Sequence, residues 1–228
     1  MAVSYRLIRS KRKTLAIHIT KDAQVEVRAP RRMPDAVITR FVGEKERWIR
    51  QKQSDIARRH AKRQAFTIGE GDTLLLLGQS YPVAIRKDAD RVFFDGHAFI
   101  LPPGPFEKTK PMLVALYKQL AGSVLNNRVA HFGEQMQVSP SGVRVTSAAT
   151  RWGSCSGKNS LCFSWRLVMA PPDAVDYVVV HELAHCVVHS HAPAFWQLVQ
   201  THLPDYRDRE AKLRILQQRL SEENWNIA

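Results

Sequence analysis

Two histidines four residues apart, with a glutamate after the first, form the most chemically specific pattern in the chain: His181-Glu182-Leu183-Ala184-His185. On a helix, residues i and i+4 project from one face, so the two imidazoles can share one tetrahedral ion. Glu182 is rotated just enough to address a water held by that ion rather than the ion itself. Zn2+ suits a histidine-rich site that keeps a water, and it lowers the pKa of that water from about 15.7 towards 7. A carboxylate can then take the proton during attack on an electrophilic centre and hand it to the leaving group. This reading makes His181 and His185 metal ligands and Glu182 the general base. Three polar groups inside an otherwise apolar helix also need a common partner, because burying them unsatisfied costs several kcal/mol.

A catalytic zinc takes a third protein ligand and keeps one position open. On a continued helix His189 would be rotated about 80° from His181 at 100° per residue, off the metal side. His191 is the preferred third ligand, because Ser190, Ala192 and Pro193 suggest that the helix stops and the chain turns back. His189 and an acidic residue further on, such as Glu210, are the alternatives.

The elements that must position these groups follow from periodicity. The apolar run Val175 to Val180, entered after Pro171-Pro172 with Asp173 able to accept free amides, predicts a buried helix leading into the motif. Helices are expected again from near Pro193 and over Asp208 to Leu220. A further long helix is expected from Pro111 to about Gln135. Val143 to Thr146 and Leu161 to Trp165 read as strands flanking the loop Arg151 to Gly157. Trp152, Phe195 and Trp196 read as core.

The first part of the chain is strand-rich. Alternation from Tyr5 to Val27 predicts two or three antiparallel strands, and further short strands are expected around 74–77, 81–85, 92–94 and 99–101. Between them lies a long helix from Pro34-Asp35 to about Arg63, with Ile38, Phe41, Val42, Trp48, Ile49 and Ile56 at apolar positions and a basic opposite face. Leu101-Pro102-Pro103-Gly104-Pro105 continues neither a ladder nor a helix and is the expected linker. The expectation is an α+β chain: a β-rich region over 1–105 containing a basic helix, and a metal-binding catalytic region over 106–228.

With 228 residues, 44% of them hydrophobic, the chain can bury a sizeable core. No stretch approaches the roughly 18 apolar residues that span a bilayer, and the first residues lack the apolar run of a secretion signal. A cytoplasmic protein without a membrane partner is expected. Cys155, Cys162 and Cys186 are too few for a disulfide scaffold and lack zinc-site spacing, so they read as buried or half-buried thiols. The net charge of +13 favours anionic partners.

The stretches Arg151-Trp152-Gly153-Ser154-Cys155-Ser156, Trp165-Arg166-Leu167, Asp176 to His185, His191 and Phe195-Trp196 resemble the YgjP-like metallopeptidase family, which is similar to the SprT-like and WLM zincins. Arg9 to Leu15, Val27 to Pro30, Trp48-Ile49 and Leu77-Gly78 extend the resemblance over most of the chain. It implies His181, His185 and His191 as zinc ligands, Glu182 as the catalytic glutamate, and a zincin-like core. It also implies a strand along the cleft to which a peptide adds, for which Leu161 to Trp165 is the candidate. Cys186 and Lys212 depart from the family pattern, the latter where a Trp is expected.

Arg151 is a candidate for binding substrate or stabilising an oxyanion, or for anchoring its own loop. Tyr206, with Arg207, is a candidate donor to the transition state. Peptide or protein substrates lead. A nucleoside triphosphate cleaved at its phosphoanhydride is the alternative that charge favours, although no phosphate-cradling Gly-rich motif is present. A weak, sequence-neutral contact between nucleic acid and the basic helix over 45–63 is a third reading.

Overall fold

The computed structural model describes residues 3–227 and contains six α-helices and three small sheets among them. It is a mixed α+β protein, as expected. It divides into two compact units, one formed by Met1–Phe66 with Ser221–Asn224 and the other by Thr67–Leu220 with Trp225–Ala228. The Pro-rich segment 101–105 lies inside the second unit.

In the first unit, β1 (Arg6–Ser10), β2 (Ala16–Ile19) and β3 (Val25–Pro30) form a sheet in the order β1-β3-β2. Only β2 and β3 pair antiparallel; β1 runs parallel to β3, contrary to the antiparallel expectation. Alternation fixes which side chains are buried but not which way the neighbouring strand runs. Val25, Val27 and Ala29 face Ile38, Val42 and Ile49 in a small core. The long helix expected here is interrupted at Lys45 (φ −101°, ψ 5°), giving α1 (Asp35–Glu44) and α2 (Glu46–Ala65). Gly43, a weak helix former, precedes the break. Trp48 is not core: it is 45% exposed while Ile49 is fully buried, since adjacent helical residues point about 100° apart.

In the second unit, β4 (Thr73–Leu76), β5 (Gln79–Ile85), β6 (Phe93–Phe94) and β7 (Phe99–Leu101) form a sheet in the order β4-β5-β7-β6. The turn between β4 and β5 needs Gly78. Its φ is +78°, and a Cβ there would lie 2.8 Å from Pro171 Cα. The 31-residue α3 (Phe106–Met136) buries Leu113, Tyr117, Leu125 and Val129. Tyr117 stacks on Trp165 with ring centroids 5.3 Å apart, and its hydroxyl donates to Leu75 O at 2.8 Å.

The third sheet, β8 (Gly142–Thr146), β9 (Gly153–Cys155) and β10 (Ser160–Ser164), has the order β8-β10-β9. β10 pairs parallel with β8 and antiparallel with β9, so both its edges are occupied. The cleft-strand role expected for Leu161 to Trp165 therefore fails: that segment is central, and Trp165 already begins a 3-10 turn, Trp165–Met169. β9 is the outer strand on this side of the sheet.

α4 (Pro172–His185) is apolar nearly all round, with Ala174, Val175, Tyr177 to Val180, Leu183 and Ala184 buried. Four valines are poor helix formers, so this helix is held by packing on every side rather than by propensity. Arg128 of α3 grips Asp176 through two bonds of 2.6 and 2.9 Å. α5 (Pro193–His202) and α6 (Tyr206–Leu220) complete the unit. Lys212, which stands where the family resemblance leads to a Trp, pairs with Asp173, and Arg209 donates to Asp173 O at 3.3 Å. Asp173 also accepts from Ala174 N at 2.9 Å, within the first turn of α4.

Candidate metal centre

α4 ends where its chemistry begins. His181 and His185 occupy its last turns, and the backbone then closes on itself through Val187 N and Val188 N, both donating to Ala184 O. The short return that follows brings His191 back over the helix end. His191 Nε2 lies 3.1 Å from His185 Nε2 and 3.2 Å from His181 Nε2. One ligand atom from each of these residues falls within 4.8 Å of the other two, close enough to share one metal ion. His189 is exposed and outside this cluster; Glu210, half-buried and pairing with Arg214 at 3.5 Å, is outside it too.

The rings are held from behind. Phe195 of α5, fully buried, places its ring centroid 4.9, 4.4 and 4.8 Å from those of His181, His185 and His191. His185 Nδ1 is 3.1 Å from Val188 O, which fixes that nitrogen as the protonated one and frees Nε2. Burial, followed by the neighbouring His185 and His191, pushes the His181 pKa down to about 4, so its ring is neutral at pH 7. His181 Nδ1 is buried without a hydrogen-bond partner among the described residues.

Glu182 lies against Gly153 of β9. It is 5% exposed, and burial pushes its pKa up to about 7, partly offset by the charge of Arg151. The carboxylate fits only because residue 153 has no side chain: a Cβ there would lie 2.6 Å from Glu182 Oε1 and 2.7 Å from its Cγ. Beside His181 and Glu182 opens a cleft of about 380 Å³, lined by Trp152, Gly153, Tyr177 and Val178 and closed by Leu213 and Arg214 of α6.

Residues 13–215 match the family model described as YgjP-like, metallopeptidase domain. The chain belongs to the YgjP-like metallopeptidase family. Among solved structures, that of the metallopeptidase zymogen of Pyrococcus abyssi abylysin is similar at 21% identity, covering 44% of this chain and 97% of that one with a TM-score of 0.37. A likeness at that level adds nothing to the family assignment. No curated protein sequence matches the chain. No helix among the described residues is long and apolar enough to cross a membrane.

In this YgjP-like chain the remaining candidates from sequence fall around the same centre. Arg151 is exposed, and its charge reaches Glu182. Tyr206 lies in a stacked row of aromatics. Its ring is 6.2 Å from Tyr177 and 5.5 Å from Trp196, and Trp196 in turn stacks on His191 at 5.6 Å. Its hydroxyl accepts from Arg207 Nε at 3.3 Å. Phe195 is core as expected, whereas Trp152 and Trp196 are half-buried and face the site instead. Two contributors escaped sequence reasoning. Gly153 carried a signal in the Trp-Gly-Ser triplet, and Tyr177, one turn before His181 and edge-on to it at 5.8 Å, sat at helical spacing from the motif. The three thiols are free and half-buried, and Cys155 Sγ is 3.7 Å from Cys186 Sγ.

Proposed function

We propose that this chain is a zinc-dependent peptidase in which His181, His185 and His191 hold the ion and Glu182 moves the proton. The carrying observation is the convergence of three Nε2 atoms beside a buried carboxyl. Nitrogens bound at 2.0–2.1 Å around one tetrahedral ion stand about 3.3 Å apart, and two of the three separations here are 3.1 and 3.2 Å. His181, its pKa pushed down to about 4 chiefly by burial, is neutral imidazole, the form a metal requires. Zinc bound there supplies Lewis-acid chemistry, polarising a carbonyl and acidifying a water.

The chain's own groups do the rest. Glu182, with a pKa of about 7, exchanges a proton readily near neutrality. It removes a proton from water in the cleft as that water attacks the scissile carbonyl carbon, and returns it to the departing amine nitrogen as the C–N bond breaks. β9 hydrogen-bonds to a neighbour on one edge only, which leaves its other edge for an extended peptide to pair with. The apolar lining from Trp152, Val178 and Leu213 suits an apolar side chain next to the cleaved bond. Arg151 and Tyr206 border the centre as substrate-binding groups. The nucleotide alternative drew on net charge, yet the unit bearing the histidines carries 16 Lys and Arg against 13 Asp and Glu, only +3 of the +13.

The test compares wild type with Glu182→Gln, both loaded with zinc, on an unfolded protein and on a panel of nucleoside triphosphates, with metal content measured in parallel. Loss of proteolysis with zinc retained supports the proposal. Unchanged proteolysis removes Glu182 from it, and hydrolysis of triphosphates alone moves the substrate to phosphoanhydrides.

A further inference from the structure

The positive charge of the chain is unevenly placed. Residues 1–66 hold 18 Lys and Arg against 6 Asp and Glu, and 221–224 add Glu222 and Glu223, so that unit stands at +10. Much of this charge lies on α2. Beyond Ile56 every residue from Ala57 to Lys62 is exposed, so this part of the helix presents charge all round instead of packing. Along one side of the helix, Lys45, Lys52 and Arg59 fall within about 60° of the Trp48 direction at 100° per residue. All three are exposed, and none has a carboxylate within 4.0 Å among the described residues. Asp55 shares this side, but its carboxylate accepts from Arg58 at 3.2 Å and Gln51 at 3.1 Å. Between Lys45 and Lys52 on the stripe, Trp48 is 45% exposed, although Ile49 beside it is fully buried in the unit's core.

We infer that this side of α2, with the chain segment at Lys45, binds single-stranded nucleic acid, its phosphates along Lys45, Lys52 and Arg59 and a base stacked on Trp48. Charge complementarity supplies attraction without sequence preference. The aromatic supplies what a duplex, whose bases already stack on one another, does not use. Helical spacing grouped Trp48 with the apolar positions of this helix; its 45% exposure turns it to solvent instead. This site is separate from the peptidase reading and stands or falls independently of it.

Full-length protein is titrated into a fluorescein-labelled 20-nucleotide single strand, as DNA and as RNA, and into the matching duplex, at 50 and 200 mM salt. A parallel arm uses vesicles of phosphatidylcholine with 30% phosphatidylserine. The expected result is salt-sensitive single-strand binding. Trp48→Ala should weaken it about tenfold and leave duplex binding unchanged, with Trp48→Tyr restoring most of the loss. Lys45→Glu with Lys52→Glu should weaken both and lower the salt slope for the single strand by about 1.4. Circular dichroism melting confirms that each variant is folded. Glu182→Gln should bind as wild type does; a loss there would place binding at the metal centre and overturn the inference. So would equal losses on single strand and duplex with Trp48→Ala, insensitivity to the charge reversals, or binding to vesicles without binding to oligonucleotides.

Discussion

Gly153 and Glu182 occupy each other's space: the position a Cβ would take on residue 153 lies 2.6 Å from Glu182 Oε1, below any tolerable contact. Any side chain on β9 at this point must displace the buried carboxyl. Gly153→Ala should therefore lower kcat/KM for peptide hydrolysis by roughly 100-fold, the scale of a displacement of about 1 Å at a reacting group. Zinc content should stay unchanged, because the atoms nearest this position all belong to Glu182. Steady-state kinetics with metal analysis on the same preparation checks this, and loss of metal would place Gly153 in a different role.

Burial raises the Glu182 pKa from 4.5 to about 7. A carboxyl raised in the folded state binds its proton more tightly there than in the unfolded chain. Its destabilising effect is thus absent below pH 4.5, grows as pH rises, and is complete above about 7. In the metal-free protein, Glu182→Gln should be more stable than wild type at pH 8, by up to about 3 kcal/mol from 1.36 kcal/mol per unit, and no more stable at pH 4.5. Urea unfolding of both metal-free proteins at the two pH values measures it. An equal difference at both would contradict the assignment of a buried, proton-holding carboxyl.

Arg128 and Asp176 clamp α3 to the helix that carries the histidines, at 2.6 and 2.9 Å and with the Asp176 side chain 16% exposed. Arg128→Ala leaves Asp176 half-buried and unpaired, and should destabilise the fold by about 1–2 kcal/mol, the guanidinium's partial exposure limiting the loss. Denaturant melts should show this shift, while a smaller one is expected for Arg128→Ala combined with Asp176→Asn. Additive losses would contradict a direct pairing.

The sequence was most informative where local pattern and chemistry coincide. The valine run leading into His181 marked a buried helix, and Ser190, Ala192 and Pro193 pointed to the return of His191. What escaped it depends on partners distant in sequence. Alternation in Arg6–Ser10 looks the same whether β1 runs parallel or antiparallel to β3. The apolar segment after Asn159 could not reveal that it would take the middle of its sheet and leave β9 on the edge facing Glu182. Helical spacing grouped Trp48 with Ile49, although only one of two adjacent residues can face a thin core, and Ile49 took it. The glycine that makes room for Glu182 acts through a contact across 29 positions, which no local pattern encodes.

The central claim is that His191, and not His189, joins His181 and His185 in holding the metal. Zinc bound per chain, measured after equilibration at pH 7.5 with one equivalent of ion and removal of the excess, tests it most directly. Wild type and His189→Ala should each retain one equivalent, and His181→Ala, His185→Ala and His191→Ala should each retain much less. Full retention by His191→Ala, or release by His189→Ala alone, would contradict the account.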